Sequence, residues 1–110
     1  METKAMETKY VNLTPHPVRL NDGREFPPSG TVARVAASYT PFDENGVCRA
    51  VFGPVQGLPD PQPGVIYIVS ALVAQAARRD DVVSPATGHP LARRDASGQI
   101  VSVPGFVRAV

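Results

Sequence analysis

The sequence predicts an α+β domain: a small sheet, mostly antiparallel and either open or barrel-like, with one short helix packed on it. Twelve prolines and nine glycines divide the 110 residues into short segments, a pattern typical of strands joined by turns. The continuous apolar run Val65–Val69 indicates a strand that is covered on both faces. A single segment of helical periodicity follows that strand, so the sheet has one helix to cover it.

The helix is expected over residues 71–79. Ser70 is a suitable N-cap, because its hydroxyl can accept a hydrogen bond from an amide of the first turn. Leu72, Val73 and Ala76 share one helical face, which we expect to pack on the sheet. A helix of about nine residues is not stable alone in water, so the packing must hold it.

Most of the remaining chain reads as hairpins. Turns are expected at Asn21–Gly23, Asp43–Gly46 and Asp95–Gly98, where glycine supplies a positive φ at little cost. Strands are expected at Tyr10–Thr14, Val18–Leu20, Thr31–Ala37, Val47–Phe52, Asp81–Pro85 and Gln99–Val103. The segment 65–83 alone has room for a parallel crossover, and it is short for one.

Composition narrows the classes of function. The formal net charge is +1, which disfavours a generic nucleic-acid surface because such a surface needs clustered positive charge. Cys48 is the single cysteine, so an intramolecular disulfide is excluded and a cytoplasmic location is expected. The chain has no apolar run of membrane-spanning length, and no motif predicts a metal or cofactor.

The first residues repeat the tetrapeptide METK. Two start codons or a cloning remnant explain this better than a structural repeat. We expect residues 1–8 to form a disordered extension, and residues 9–110 to form a single β-rich domain.

Four residues are candidates for ligand contact: His16, His89, Arg93 and Arg94. His16 lies between two prolines, which restrict its backbone, and His89 lies in a glycine-containing loop. Arg93 and Arg94 could clamp a phosphate or carboxylate in a bidentate manner. The structural alternatives are a polar turn for His16 and a solvated Arg94–Asp95 ion pair.

Ser70 follows a buried strand but lacks the flanking glycines of a nucleophile elbow. The chain has neither a GxxxxGK[ST] loop nor a GxGxxG turn. The segments VNLTPHPVRL, PPSGTVARV, VFGPVQGLPDPQPGVIYIVSALVAQAARRDDVVSPATG and RRDASGQIVSV resemble, in that order, short uncharacterised proteins of actinobacterial phages and their hosts. The resemblance covers the chain from Tyr10 onward and implies a phage accessory or counter-defence protein, without implying catalytic residues.

The leading hypothesis is a non-enzymatic protein that binds a small anionic ligand, such as a nucleotide, and forms a homo-oligomer. A nucleotide pocket of roughly 300 Å³ or more is hard to enclose in a chain of this size without a second subunit. The alternative is an adaptor or inhibitor that binds a host protein. A small hydrolase with His16 or His89 as general base ranks third, because the sequence offers no convincing nucleophile or metal set.

Overall fold

The computed structural model describes residues 8–110, so the expected extension falls, apart from Thr8, outside the described residues. The elements are β1 (Lys9–Asn12), β2 (Val18–Arg19), β3 (Glu25–Phe26), β4 (Arg34–Tyr39), β5 (Ala50–Gln56), β6 (Val65–Ile68), α1 (Ala71–Ala77), β7 (Val82–Pro85), β8 (Arg93–Arg94), β9 (Ile100–Ser102) and β10 (Phe106–Arg108). The structure is therefore β-rich with one short helix, as the sequence predicts.

The main sheet has four strands in the order β1-β6-β7-β10. β6 runs parallel to both β1 and β7, and β10 is antiparallel to β7. The expectation of one mostly antiparallel sheet is therefore wrong, and none of the sheets within residues 8–110 closes into a barrel. The reason is the β6–α1–β7 connection: residues 69–81 supply roughly the dozen residues that a parallel crossover needs.

Alternate residues of the central strands pack on opposite faces of this sheet. On the helix side, Tyr67, Val69 and Val82 join a cluster that includes Val73 and Ala74 of α1. The opposite cluster consists of Val18, Leu20, Ile68, Val83 and Val103, with the rings of Tyr10, Phe26 and Phe106 against it. Because both faces are covered, the run Val65–Val69 lies at the centre of the molecule, as predicted.

The helix begins where expected and ends two residues early. Ser70 Oγ accepts a hydrogen bond from the amide of Val73 at 3.3 Å. Arg78 ends the helix in a left-handed conformation with φ 51°, and its N–H donates to the carbonyl of Ala74. Arg79 turns back and pairs with the partly buried carboxylate of Asp81 at 2.6 Å.

The predicted apolar face of the helix is partly wrong. Val73 and Ala74 are the buried residues, whereas the Leu72 side chain is 42 % exposed. Leu72 instead lines a shallow cleft toward Arg34 and Val35 of β4. Seven residues form barely two turns, so a small rotation about the helix axis is enough to move one residue off the packed face.

Two small hairpins cover the sheet face opposite the helix. The β2–β3 hairpin turns at Gly23 and the β8–β9 hairpin turns at Gly98, both with positive φ. The hairpins are joined to each other, because the amide of Asn21 donates to the carbonyl of Val103 at 2.8 Å. Their apolar side chains complete the second core cluster.

The β4–β5 hairpin, here called the arm, pairs with no other strand among the described residues. Its base packs on the helix-side cluster through Val35 and Val55. Beyond that base almost every side chain is exposed, and Tyr39 and Phe42 are 71 % and 73 % exposed. The strand register slips between Val35 and Ala37, which marks a bulge at the point where the arm leaves the core.

Candidate functional site

A cavity of about 550 Å³ lies at the carboxyl ends of the three parallel strands. β1 leads into Thr14 and His16, β6 into Ser70, and β7 into Thr87, and all four residues line the cavity. The outer wall is formed by β2 and by residues 99–103. The carboxyl ends of parallel strands are the usual position of ligand sites in such sheets, because the connections diverge there.

The wall of this cavity, here called the carboxyl-edge cavity, combines an apolar base with a few polar groups. Apolar atoms form most of its surface, and its charged or titratable side chains are Arg19 and His16. None of the described residues that line it carries a carboxylate. An apolar surface with a guanidinium and no carboxylate among its lining residues suits a ligand that has an apolar body and an anionic group.

Asn12 positions the turn that carries His16. Its side chain is 2 % exposed and satisfies four partners. Nδ2 donates to the carbonyls of His16 and Phe26, each at 2.9 Å. Oδ1 accepts from the amide of Thr14 at 2.9 Å and from its hydroxyl at 2.7 Å. A buried amide with all its hydrogen bonds made holds one backbone arrangement, so the TPHP turn is rigidly placed at the rim.

Among the residues that line the cavity, Arg19 carries the one guanidinium. It projects from β2, and its Nη2 pairs with the Glu25 carboxylate at 3.0 Å across the hairpin. Both side chains are about half exposed, so the pair contributes at most about 1 kcal/mol to folding. Such a weak pair leaves the remaining donors of the guanidinium available to a ligand.

The polar side chains around the cavity differ in the hydrogen bonds that they already make within the protein. Ser70 accepts the helix-capping bond with its oxygen and keeps its own proton for another acceptor. The hydrogen bonds found in residues 8–110 include none between Ser70 and His16, although both line the cavity. The two side chains are therefore not arranged as a nucleophile and base, which would require hydrogen-bond contact.

The structure separates the four residues that the sequence singles out. His16 lines the carboxyl-edge cavity, whereas His89, Arg93 and Arg94 do not. His89 lines a neighbouring cavity of about 410 Å³ beside α1 and β7. Its Nδ1 accepts a hydrogen bond from the amide of Leu91 at 3.0 Å, which closes its own loop. Arg93 lies on the exposed surface of β8.

Arg94 is bound to the protein rather than free to clamp an anion. Its guanidinium donates to the carbonyl of Gly98 at 2.8 Å and to that of Thr87 at 3.1 Å. Arg94 and Asp95 are not among the ion pairs of residues 8–110. The Asp95 carboxylate instead accepts bonds from Ser97 and Gln99, and these lower its pKa below the ordinary value. Arg94 therefore braces the Thr87 side of the cavity.

Sequence reasoning did not single out Asn12, Arg19 or Gln99 as site residues. Arg19 alternates with buried Val18 and Leu20, which is typical of the solvent side of any strand. Gln99 is the first residue of the expected strand Gln99–Val103, and Asn12 is one polar position within an apolar strand. An asparagine two residues before a Thr-Pro dipeptide is the one available signal, because such side chains commonly organise turns.

The chain matches no family model, no curated protein and no solved structure. In the described part of the chain, no cluster of three or more His, Cys, Asp or Glu side chains could hold a metal ion. The helix of residues 71–77 is too short to cross a membrane.

Proposed function

We propose that this protein binds a small organic anion of nucleotide size in the carboxyl-edge cavity. One observation carries the proposal: a cavity of about 550 Å³ at the ends of three parallel strands, with Arg19 and His16 in its wall and no lining carboxylate. Its volume falls within the roughly 300–1,000 Å³ of small-molecule sites. The apolar base would take the planar ring of a nucleobase, and the rim would take the phosphate.

The roles of the four sequence candidates change in this proposal. His16 contacts the ligand, together with Arg19, because both line the cavity. Arg94 acts as a positioning residue, since its guanidinium holds the carbonyl of Thr87 at the rim. His89 and Arg93 lie outside the contact set. The resemblance to phage-borne proteins implies a setting in which such a protein sequesters a nucleotide signal.

Titration calorimetry and thermal denaturation test the proposal with a panel of probes. The panel contains AMP, GMP, UMP and CMP, their di- and triphosphates, cyclic dinucleotides, adenosine and inorganic phosphate. We expect at least one nucleotide to bind and to raise Tm, because a ligand that binds only the native state stabilises it. Adenosine lacks the phosphate and inorganic phosphate lacks the base, so each is expected to bind more weakly than the nucleotide. A panel without any binder would refute the proposal.

A matched pair of variants tests the role of Arg19. Arg19→Gln removes the guanidinium and should weaken nucleotide binding at least about tenfold, since charge-assisted bonds contribute about 1.5–3 kcal/mol. Glu25→Gln breaks the same ion pair but keeps the guanidinium. It should bind as well as the wild type or better, because the carboxylate no longer competes for Arg19. Equal loss in both variants would show that only the hairpin was damaged.

Recovery of the ligand after incubation distinguishes binding from turnover. We expect the nucleotide to be recovered unchanged, because His16 and Ser70 are not hydrogen-bonded to each other. Release of phosphate or nucleoside by purified wild-type protein, abolished in His16→Ala, would instead support the hydrolase hypothesis.

A further inference from the structure

We propose that the arm, residues 34–56, is a self-association element: two copies of this chain pack the apolar faces of their arms against each other in antiparallel orientation. This inference concerns the arm alone and is independent of the ligand site. It gives a location to the homo-oligomer that chain length suggests.

The arm carries one continuous apolar face. Directly paired residues of two strands share a face, and so do alternate residues of one strand. The pairs Val35–Val55, Ala37–Phe52 and Tyr39–Ala50 follow each other along the hairpin, and these six residues are here called the strip. The strip begins within the helix-side core and continues to the exposed half of the arm.

The bulge is what keeps the strip on one face. Between the pairs Val35–Val55 and Ala37–Phe52, β4 advances by two residues and β5 by three. The extra residue in β5 restores the alternation that a three-residue step would otherwise reverse. Without it, Phe52 would lie on the opposite face from Val55, and the apolar surface would be split between two sides.

The surface left uncovered is large for a protein of this size. Tyr39 and Phe42 are 71 % and 73 % exposed, Phe52 is 37 % exposed, and Val47 and Leu72 are about half exposed. Since an aromatic side chain offers about 150–250 Å², these five residues leave roughly 500 Å² of apolar surface in water. Tyr39 and Phe52 belong to the strip, and the proposed interface would also have to cover Phe42 and Val47 near the tip and Leu72 of the helix. Two copies would bury roughly 1,000 Å², which is the lower bound for a specific interface.

The surface shape of the strip favours a second copy of this chain as its binding partner. Beyond the base, each pair couples one aromatic residue with one alanine: Phe52 with Ala37, and Tyr39 with Ala50. The large residue lies on β5 in one pair and on β4 in the next, so ridges and hollows alternate. Two-fold apposition of identical strips lets the ring of one copy enter the alanine hollow of the other, as packed cores require.

Charge favours the antiparallel orientation. At the tip of the arm, Asp43 and Glu44 outnumber Arg49. Antiparallel apposition keeps the two acidic tips apart. Parallel apposition would place the two acidic tips together, which costs free energy.

Sedimentation velocity of the full chain over a wide range of concentration tests the proposal. The wild type is expected to be a dimer that dissociates on dilution. The variant Tyr39→Thr/Phe52→Thr keeps strand propensity but removes both rings, and its dimer should dissociate at least about tenfold more readily. A monomeric wild type, or a double variant that dimerises as the wild type does, would overturn the proposal.

The same hairpin supplies the control. Val51 is half exposed and pairs with Ser38, so it lies on the face of the arm opposite the strip. Val51→Thr should leave the dimer unchanged. Equal weakening by Val51→Thr and by the double variant would show general damage to the arm and refute the assigned face. Circular dichroism and Tm of each variant establish that the domain is folded.

A charge change at the tip tests the orientation. Glu44→Gln should leave the dimer unchanged at low salt, because antiparallel arms keep the two acidic tips apart. A dimer that becomes tighter in Glu44→Gln would show that the tips meet and would overturn the antiparallel arrangement.

Discussion

The β6–α1–β7 unit and the β4–β5 arm have similar residue types but differ in how far their side chains are buried. Both contain strands rich in valine and aromatic residues, and both are bounded by glycine and proline. In the first unit Ile68, Val69 and Val82 are completely buried, whereas most of the arm is exposed. The comparison shows that apolar residues favour strand formation in both regions, while the number of neighbouring elements determines whether the strand is buried.

The neighbours account for the difference. β6 has strands on both sides, the helix on one face and the two small hairpins on the other. The arm has the helix against its base, and its two strands pair only with each other within residues 8–110. A two-stranded hairpin is marginally stable in water, so the arm depends on its base and, in our proposal, on a second copy.

The largest expected contrast between the two regions comes from truncating aliphatic side chains. Ile68→Ala should lower the free energy of unfolding by about 3–4 kcal/mol, because it removes a completely buried side chain and leaves a cavity. Val47→Ala, at the exposed tip of the arm, should change it by less than about 0.5 kcal/mol. Urea denaturation measures both. A comparable loss for both variants would contradict the assigned burial.

A second contrast compares two asparagines. Asn12→Ala should destabilise the protein by about 2–3 kcal/mol, since two carbonyls and an amide lose the buried side chain to which they are hydrogen-bonded. Asn45→Ala, in the exposed turn of the arm, should change the stability by less than about 0.5 kcal/mol. Thermal denaturation compares the two. Because Asn12 holds the turn of His16, nucleotide affinity should also fall in Asn12→Ala, and unchanged affinity would argue against this positioning role.

The smallest contrast separates the base of the arm from its tip. Gly57 has φ 81°, and an added Cβ would lie 2.7 Å from the carbonyl oxygen of Val32; Gly46 has φ 78° and open space around it. Gly46→Ala should therefore cost only the backbone penalty of about 1–2 kcal/mol, and Gly57→Ala should cost about 1 kcal/mol more, because the backbone contact must also be relieved. Equal losses in the two variants would show that the arm adjusts freely at its base.

Local pattern was sufficient for the parts of the fold that depend on nearby residues. The serine cap at Ser70 and the turns at Gly23, Gly46 and Gly98 lie where the sequence predicts them. The central position of Tyr67 also follows from its unbroken apolar run. These features require a cap, a positive φ or continuous burial, and each requirement is visible in a few adjacent residues.

Long-range pairing was not visible in the same way. The parallel pairing of β1 with β6 joins residues more than fifty positions apart, such as Tyr10 and Ile66. The residues of a strand do not specify whether its neighbour runs parallel or antiparallel to it. For the same reason, the sequence could group His89 with Arg93 and Arg94, which are close in the chain, but not His16 with Arg19 and Ser70 around one cavity.

By itself, the sequence determined the β-rich class, the position of the single helix and the hairpin turns, because propensity, capping and glycine conformation act over a few residues. The tertiary structure alone decided three things: the parallel centre of the sheet, the residues that share the carboxyl-edge cavity, and the exposure of the arm. Each of these depends on which segments that are distant in the sequence pack together. The native combination of such contacts is selected by the free energy of the whole fold, including the total surface it buries.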